Sequence, residues 1–185
     1  MKTTFQWMLM GLVSLLTVGC GDASLRSLPP APKAPAPTSV TPTQTVPTTQ
    51  AELRIQGDDA QGEHVLLRVT QAEVTLYGRR LLVTQPRQDV LDLGNTDQAW
   101  LLGTFQVPST VDTVHVRLSF DDFGGYEGPA GAGALDTRTR AIEFDAPVSS
   151  LALRGHAVVH LNLARSIVPE GIGRGLLLPV VKVEY

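Results

Sequence analysis

The chain has 185 residues, of which 18 are acidic and 15 basic, and a single cysteine. One cysteine excludes an internal disulfide, so a packed apolar core must stabilise what is, by length, one domain of common size. From residue 51 onward there are 12 basic and 17 acidic residues without a basic stripe, which argues against nucleic-acid binding.

An apolar run from Phe5 to Val18 follows the single charge of Lys2. Its length, about fourteen residues, is typical of a signal peptide and short for a membrane-spanning helix. The run ends in Thr17-Val18-Gly19-Cys20, which resembles the lipobox of bacterial lipoproteins. The resemblance implies a signal peptide over residues 1–19, cleavage before Cys20, and lipidation of Cys20 by diacylglyceryl and fatty acyl groups such as palmitate.

Several acyl chains on one residue would hold the protein stably at a membrane of the cell envelope. Gly21 follows the cysteine, where some lipoproteins retained in the inner membrane carry an aspartate. The outer membrane or the cell surface is therefore the expected location. The alternative is an ordinary secretory signal with a chance cysteine, which would leave an unpaired thiol.

Residues 20–50 are predicted to be a disordered linker after the lipidated cysteine. Seven of the 13 prolines fall between Pro29 and Pro47, mixed first with alanine and then with threonine. Such a composition cannot form a core and favours extended conformations. The linker would act as a spacer between the membrane and a domain over residues 51–185.

Alternation of apolar and polar residues predicts strands from Leu53 and Ile55 onward. The apolar residues change parity between Val65 and Tyr77, which predicts a β-bulge near Thr70–Gln71. A hairpin turn is expected at Tyr77-Gly78-Arg79-Arg80, before a strand returning over residues 81–84. A short strand follows at residues 90–93.

A single helical turn is predicted over residues 98–102, after the capping sequence Asn95-Thr96-Asp97. The clearest strand is Val111 to Phe120, and a long Gly-rich loop, Asp121 to Gly133, is expected after it. Further strands are predicted at Ile142 and Phe144, at Leu151 and Leu153, and over residues 156–164. The last, over 176–185, contains Pro179 and is therefore expected at an edge or a bulge.

About eight or nine short strands with turns between them predict an all-β fold, an antiparallel β-sandwich. The order of the motifs also resembles domain of unknown function 4382, a family of bacterial lipoprotein domains. The similar segments are Val90-Leu-Asp-Leu-Gly, Trp100-Leu-Leu-Gly, Val114-His-Val-Arg-Leu, Leu161-Asn-Leu-Ala-Arg-Ser-Ile and Leu178-Pro-Val-Val-Lys-Val. The resemblance implies an Ig-like or transthyretin-like sandwich and supplies no catalytic residues.

The Gly-rich loop is the candidate binding site, because long loops in compact domains often carry function. Phe123 and Tyr126 would offer flat apolar faces to a sugar ring or a protein partner, with Asp122 and Glu127 as acceptors. The alternative is a flexible loop whose aromatic rings fold back onto the sandwich.

Catalytic and metal motifs are absent from the sequence: it has no nucleophile elbow and no phosphate loop. His156 and His160 lie about 13 Å apart along a strand, too far to share one zinc ion. No metal site and no cofactor are therefore predicted. The acids at Asp121-Asp122 and at Asp58-Asp59-Glu63 are expected to be solvated, and the alternative is calcium binding through their oxygen atoms.

These observations favour a non-enzymatic binding or interaction module of the cell envelope. Its partners would be the membrane, through the lipid, and a glycan or an envelope protein. A structural or assembly subunit that pairs through an edge strand is the alternative hypothesis. A third, a hydrolase, requires carboxylates that converge only in three dimensions.

Overall fold

The computed structural model describes residues 46–60, 62–86, 90–128 and 131–185. They form three mostly antiparallel sheets in a sandwich-like arrangement, which confirms the predicted all-β class. The predicted signal peptide (1–19), Cys20 and the linker up to residue 45 lie outside the described residues. Within the described part of the chain, no helix has the length and apolar composition needed to cross a bilayer.

The first sheet has five strands and contains the predicted Leu53–Ile55 strand. In spatial order the strands are β15 (Val181–Glu184), β12 (His156–Asn162), β1 (Thr48–Asp58), β7 (Trp100–Pro108) and β5 (Val83–Thr84). β1 and β12 are parallel, whereas the other pairs in this sheet are antiparallel. β1 begins at Thr48, before the predicted domain start at Ala51. The strand predicted over residues 176–185 is divided around Pro179: residues 174–177 belong to another sheet, and β15 is an edge strand of this one.

The second sheet has four strands and contains the predicted bulge. In spatial order they are β11 (Ile142–Pro147), β8 (Thr113–Phe120), β3 (Val69–Leu76) and β4 (Arg79–Arg80). The register of β3 against β8 shifts between Val69 and Gln71, which confirms the predicted position. The predicted hairpin turn is confirmed at Tyr77-Gly78, where both residues have positive φ, whereas Arg79 and Arg80 already belong to a strand. The returning strand is β4. Of the strand predicted over residues 81–84, only β5 is present, and it belongs to the five-stranded sheet.

The third sheet has six strands and corrects the predicted Gly-rich loop. In spatial order they are β13 (Ile167–Pro169), β14 (Arg174–Leu177), β10 (Gly131–Asp136), β9 (Phe123–Gly128), β2 (His64–Leu67) and β6 (Leu91–Asp92). Most of the segment from Asp121 to Gly133 is therefore paired strand. Its glycines indicated a loop because glycine has low strand propensity, yet pairing with β2 and β14 on either side supports the hairpin.

Two short helices, α1 (Val148–Arg154) and α2 (Leu163–Ser166), interrupt the strands. The strand predicted at Leu151 and Leu153 is wrong: helical geometry buries Val148 and Leu151 on one face and leaves Leu153 exposed. Gly155 ends α1 in the left-handed conformation, φ 74°, where its N–H bonds the carbonyl of Leu151.

The helical turn predicted over residues 98–102 is also wrong, because this segment leads into β7. The register of β7 against β1 skips one residue, Leu102, between Leu101 and Gly103. This bulge buries Leu102 and Gly103 in succession. Because of the bulge, the segment Trp100-Leu101-Leu102 lacks the alternation of apolar and polar residues that usually indicates a strand.

One apolar core joins the sheets. The inward residues of the clearest strands follow the predicted alternation, with Val114, Val116 and Leu118 at most 1% exposed. Leu53 and Ile55 are equally buried in the first sheet, as are Val65 and Leu67 in the third. The side chains that face away from this core create the surfaces on which a site can form.

Candidate functional site

The site is built on the outer face of the six-stranded sheet, meaning the side opposite the buried Leu67, Leu135 and Leu177. Because side chains alternate along a strand, this face carries Phe123, Gly125 and Glu127 from β9. Register pairing places Asp136 opposite Phe123, and Arg174 opposite Ala134.

Phe123 is the exposed aromatic residue of this face, with 58% of its surface accessible. The guanidinium carbon of Arg138 lies 4.9 Å from the centre of its ring, within cation–π range. Arg138 is fixed in turn by Asp136, to which it donates from Nε at 3.1 Å and from Nη2 at 2.6 Å. The ring is thus bordered by a guanidinium group whose position is set by a carboxylate.

The contact between Asp136 and Arg138 shifts the pKa values of both residues. The hydrogen bond from Arg138 lowers the pKa of Asp136, and the bond to Asp136, with a smaller contribution from the charge of Asp122, raises the pKa of Arg138. Asp136 therefore stays ionised under all mild conditions and is poorly suited to act as a general acid. The cluster offers hydrogen-bonding groups rather than a proton donor.

These residues border a cavity of about 310 Å³, here called the Phe123 hollow. Its volume lies at the lower end of the range for small-ligand sites, about 300–1,000 Å³. Glu170 and Arg174, from the adjoining loop and β14, complete its polar wall. The residues that line the hollow include Phe123, Ala134, Asp136, Arg138, Glu170 and Arg174.

Tyr126 does not join Phe123, although both were predicted for one site. They are three positions apart along β9, an odd number, so they lie on opposite faces of the sheet. The Tyr126 ring packs against the core over two glycines: a Cβ on Gly133 would come 2.8 Å from its Cε1, and one on Gly175 would come 3.5 Å. Its ring fills the space that these glycines leave.

Glu127 is on the outer face but at the far end of β9 from Asp122 and Phe123. It pairs with His64 of β2, and its charge helps to raise the pKa of that histidine. The larger cause of the raised pKa is Asp92, whose Oδ2 lies 2.7 Å from His64 Nδ1. Of the four predicted binding residues, only Phe123 lines the hollow, and Asp122 acts on it through its charge near Arg138.

Two of the other histidines, His115 and His160, also contact carboxylates. His115 Nδ1 lies 3.0 Å from Asp145, and His160 lies between Asp58 at 3.2 Å and Glu184 at 3.6 Å. The two contacts of His160 link β12 to β1 and to β15. Across the described ranges, no group of three or more His, Cys, Asp or Glu residues has a metal-binding arrangement.

The sequence interpretation missed the residues that complete the hollow: Asp136, Arg138, Glu170 and Arg174. The sequence contains Asp136 and Arg138 two positions apart. This spacing points to a site beside Phe123 only when β10 is known to pair with β9. Glu170 and Arg174 bracket a turn closed by a 3.0 Å backbone hydrogen bond between them, a feature that the strand pattern does not reveal.

Comparison of the chain with protein-family models, with curated proteins and with solved structures gave no match.

Proposed function

We propose that this protein is a lipid-anchored lipoprotein of the bacterial cell envelope whose β-domain binds a glycan without cleaving it. Support for the anchor comes from the sequence alone, from the apolar run and the lipobox-like segment ending at Cys20. Such an anchor would keep the domain beside the polymers of the envelope, and the outer membrane or cell surface is the proposed location.

The observation that carries the binding proposal is the Phe123 hollow. A half-exposed aromatic ring beside ionised carboxylate and guanidinium groups matches the needs of a sugar, which has apolar ring faces and a rim of hydroxyls. Asp136 and Glu170 would accept hydrogen bonds from hydroxyls, and Arg138 and Arg174 would donate them. Because Arg138 lowers the pKa of Asp136, this carboxylate is suited to accept hydrogen bonds and poorly suited to be the general acid of hydrolysis.

The binding test uses the full-length protein in detergent and isolated envelope polysaccharides, including peptidoglycan fragments. Phe123→Ala should weaken binding at least about tenfold, since loss of a central aromatic contact commonly exceeds 1.4 kcal/mol. Leu82→Ala is the matched control, because Leu82 is 87% exposed and lies outside the hollow. Equal binding by wild type and Phe123→Ala would refute the site, and shortened glycan chains after incubation would refute the non-enzymatic function.

The anchor has a separate test, intact-protein mass spectrometry of the membrane fraction. A mature chain that starts at Cys20 with added acyl mass, lost in Cys20→Ala, is the expected result. A soluble, unlipidated chain cut elsewhere would leave the hollow intact as a site but would contradict the membrane anchor.

A second candidate function is assembly through exposed strand edges. β15 and β11 are the edges of their sheets, and Val181 of β15 and Ile142 of β11 border the same cavity of about 410 Å³. Unpaired edges are templates for strand addition. A monomer at all tested concentrations in sedimentation analysis, with no partner cross-linked at Lys182, would exclude this candidate.

A further inference from the structure

A second cavity lies on the inner side of β9, where Tyr126 faces it, and it is separate from the Phe123 hollow. Its volume is about 460 Å³, well within the range for small-molecule sites. We call it the Glu63 cleft. The lining residues that matter here are Glu63, Tyr126, Leu163, Ile167, Pro169 and Ile172.

Glu63 is the one charged residue in the lining of this cleft. Its side chain lies across Gly128, where a Cβ would come 2.8 Å from Glu63 Cγ. Within the described ranges no hydrogen bond or ion pair engages its carboxylate. A carboxylate without a partner, in a cavity lined mainly by uncharged apolar side chains and glycine backbone, favours a cationic ligand group that can donate hydrogen bonds.

Ile172 provides a second observation that points to a ligand. It is fully exposed at the rim of the cleft, in the loop between β13 and β14. Gly171 and Gly173, at φ 122° and 69°, hold the loop in a conformation that other residues rarely adopt. The Gly173 carbonyl accepts a 3.1 Å hydrogen bond from the N–H of Ala134, which ties the loop to the sheet. An apolar ligand in the cleft would remove part of the Ile172 side chain from water.

We propose that the Glu63 cleft binds a small organic amine, with its ammonium group on the Glu63 carboxylate and its apolar body against Ile167, Pro169 and Ile172. The excess of acidic over basic residues in the domain also favours the approach of a cation. The Tyr126 hydroxyl and ring provide a further polar and cation–π contact at the same wall. The cleft shares no lining residue with the Phe123 hollow. Amine binding in the cleft can therefore be tested independently of glycan binding in the hollow.

The test compares three probes of one shape and different charge: cyclohexylamine, cyclohexanol and cyclohexanecarboxylate. Binding to the full-length protein in detergent is measured by calorimetry, with protein-free micelles as the blank. Cyclohexylamine should bind at least about tenfold more tightly than the other two, because only it pairs with the carboxylate. Equal binding of the amine and the alcohol, or no binding of the amine, would overturn the proposal.

Matched variants assign the binding to the cleft. Glu63→Gln should weaken amine binding about tenfold, whereas Asp97→Asn, which removes the same charge from an exposed turn, should leave it unchanged. Ile172→Ser should also weaken binding without lowering the unfolding temperature, because Ile172 packs against nothing in the free protein. Phe123→Ala should bind the amine normally. Amine affinity that falls equally in Glu63→Gln and Asp97→Asn would show only non-specific attraction and would contradict the site.

Discussion

The four-stranded and six-stranded sheets use different side chains to form the same kind of structure. β3 and β8 alternate apolar residues with polar ones. Their central inward residues are almost completely buried: Ala72, Val74, Val114, Val116 and Leu118. In β9 and β10, five of the 12 residues are glycine. The first pair contributes packed core, whereas the second has little side-chain volume and relies on close backbone contacts.

This difference explains why both candidate sites lie on the six-stranded sheet. Small residues let neighbouring segments approach closely: a Cβ on Gly133 would come 2.6 Å from the carbonyl oxygen of Gly173. They also leave space on both faces, which becomes the Phe123 hollow on one side and the Glu63 cleft on the other. Bulky strands stabilise the domain, and glycine-rich strands shape its surfaces.

The largest effect is expected from shortening a side chain in the packed sheet. Leu118→Ala should lower the free energy of unfolding by about 2–5 kcal/mol, since Leu118 is completely buried and its loss leaves a cavity. Leu82→Ala, at an exposed position, should change it by less than about 0.5 kcal/mol. Urea unfolding of both variants measures the difference, and similar values for the two would contradict the described core.

Adding one methyl group to the glycine-rich strands should have the next largest effect. Gly124→Ala should destabilise by about 1–3 kcal/mol, because its Cβ would come 2.5 Å from Leu67 Cδ2 and 2.7 Å from the Leu66 carbonyl oxygen. Gly125→Ala, the neighbouring position on the outer face, meets nothing closer than 3.9 Å and should be neutral or slightly stabilising. Thermal unfolding of the pair decides this, and the opposite order would mean that β9 has the wrong face turned to the core.

The smallest effect concerns pH at the far end of the outer face. The hydrogen bond and charge of Asp92 raise the pKa of His64 above its ordinary value of 6.5, so the pair stabilises the protein at low pH. That contribution is complete below the unfolded pKa and is lost as pH rises through the raised folded pKa. NMR titration should show the raised pKa in wild type and a return towards 6.5 in Asp92→Asn. Identical His64 pKa values in the two proteins would contradict the contact between His64 and Asp92.

Much of the packed part of the fold follows from the sequence because large apolar residues carry a clear period. The parity change before Val74 specified the bulge at Thr70–Gln71, and the run ending at Phe120 specified β8. The glycine-rich hairpin was missed because Gly131-Ala-Gly-Ala has no large residues to alternate. Its strand structure depends on tertiary pairing with β2 and β14, which lie far away in sequence.

The candidate site was predictable only in part for the same reason. Phe123 and Asp122 could be selected as an aromatic and an acceptor in one segment. In a loop, Tyr126 would have been free to join them, but strand alternation turns it to the opposite face. The partners Arg138 and Arg174 come from other elements and are brought to the hollow by sheet register.

The most direct test of the outer face as the binding surface is the glycan affinity of two variants on opposite sides of β9. Phe123→Ala removes the ring of the hollow, and Tyr126→Phe removes a hydroxyl on the inner face while keeping the ring over Gly133. We expect Phe123→Ala to lose at least about tenfold in affinity for envelope polysaccharide while Tyr126→Phe binds like wild type. Normal binding by Phe123→Ala, or loss in Tyr126→Phe alone, would contradict the assignment of glycan binding to the outer face.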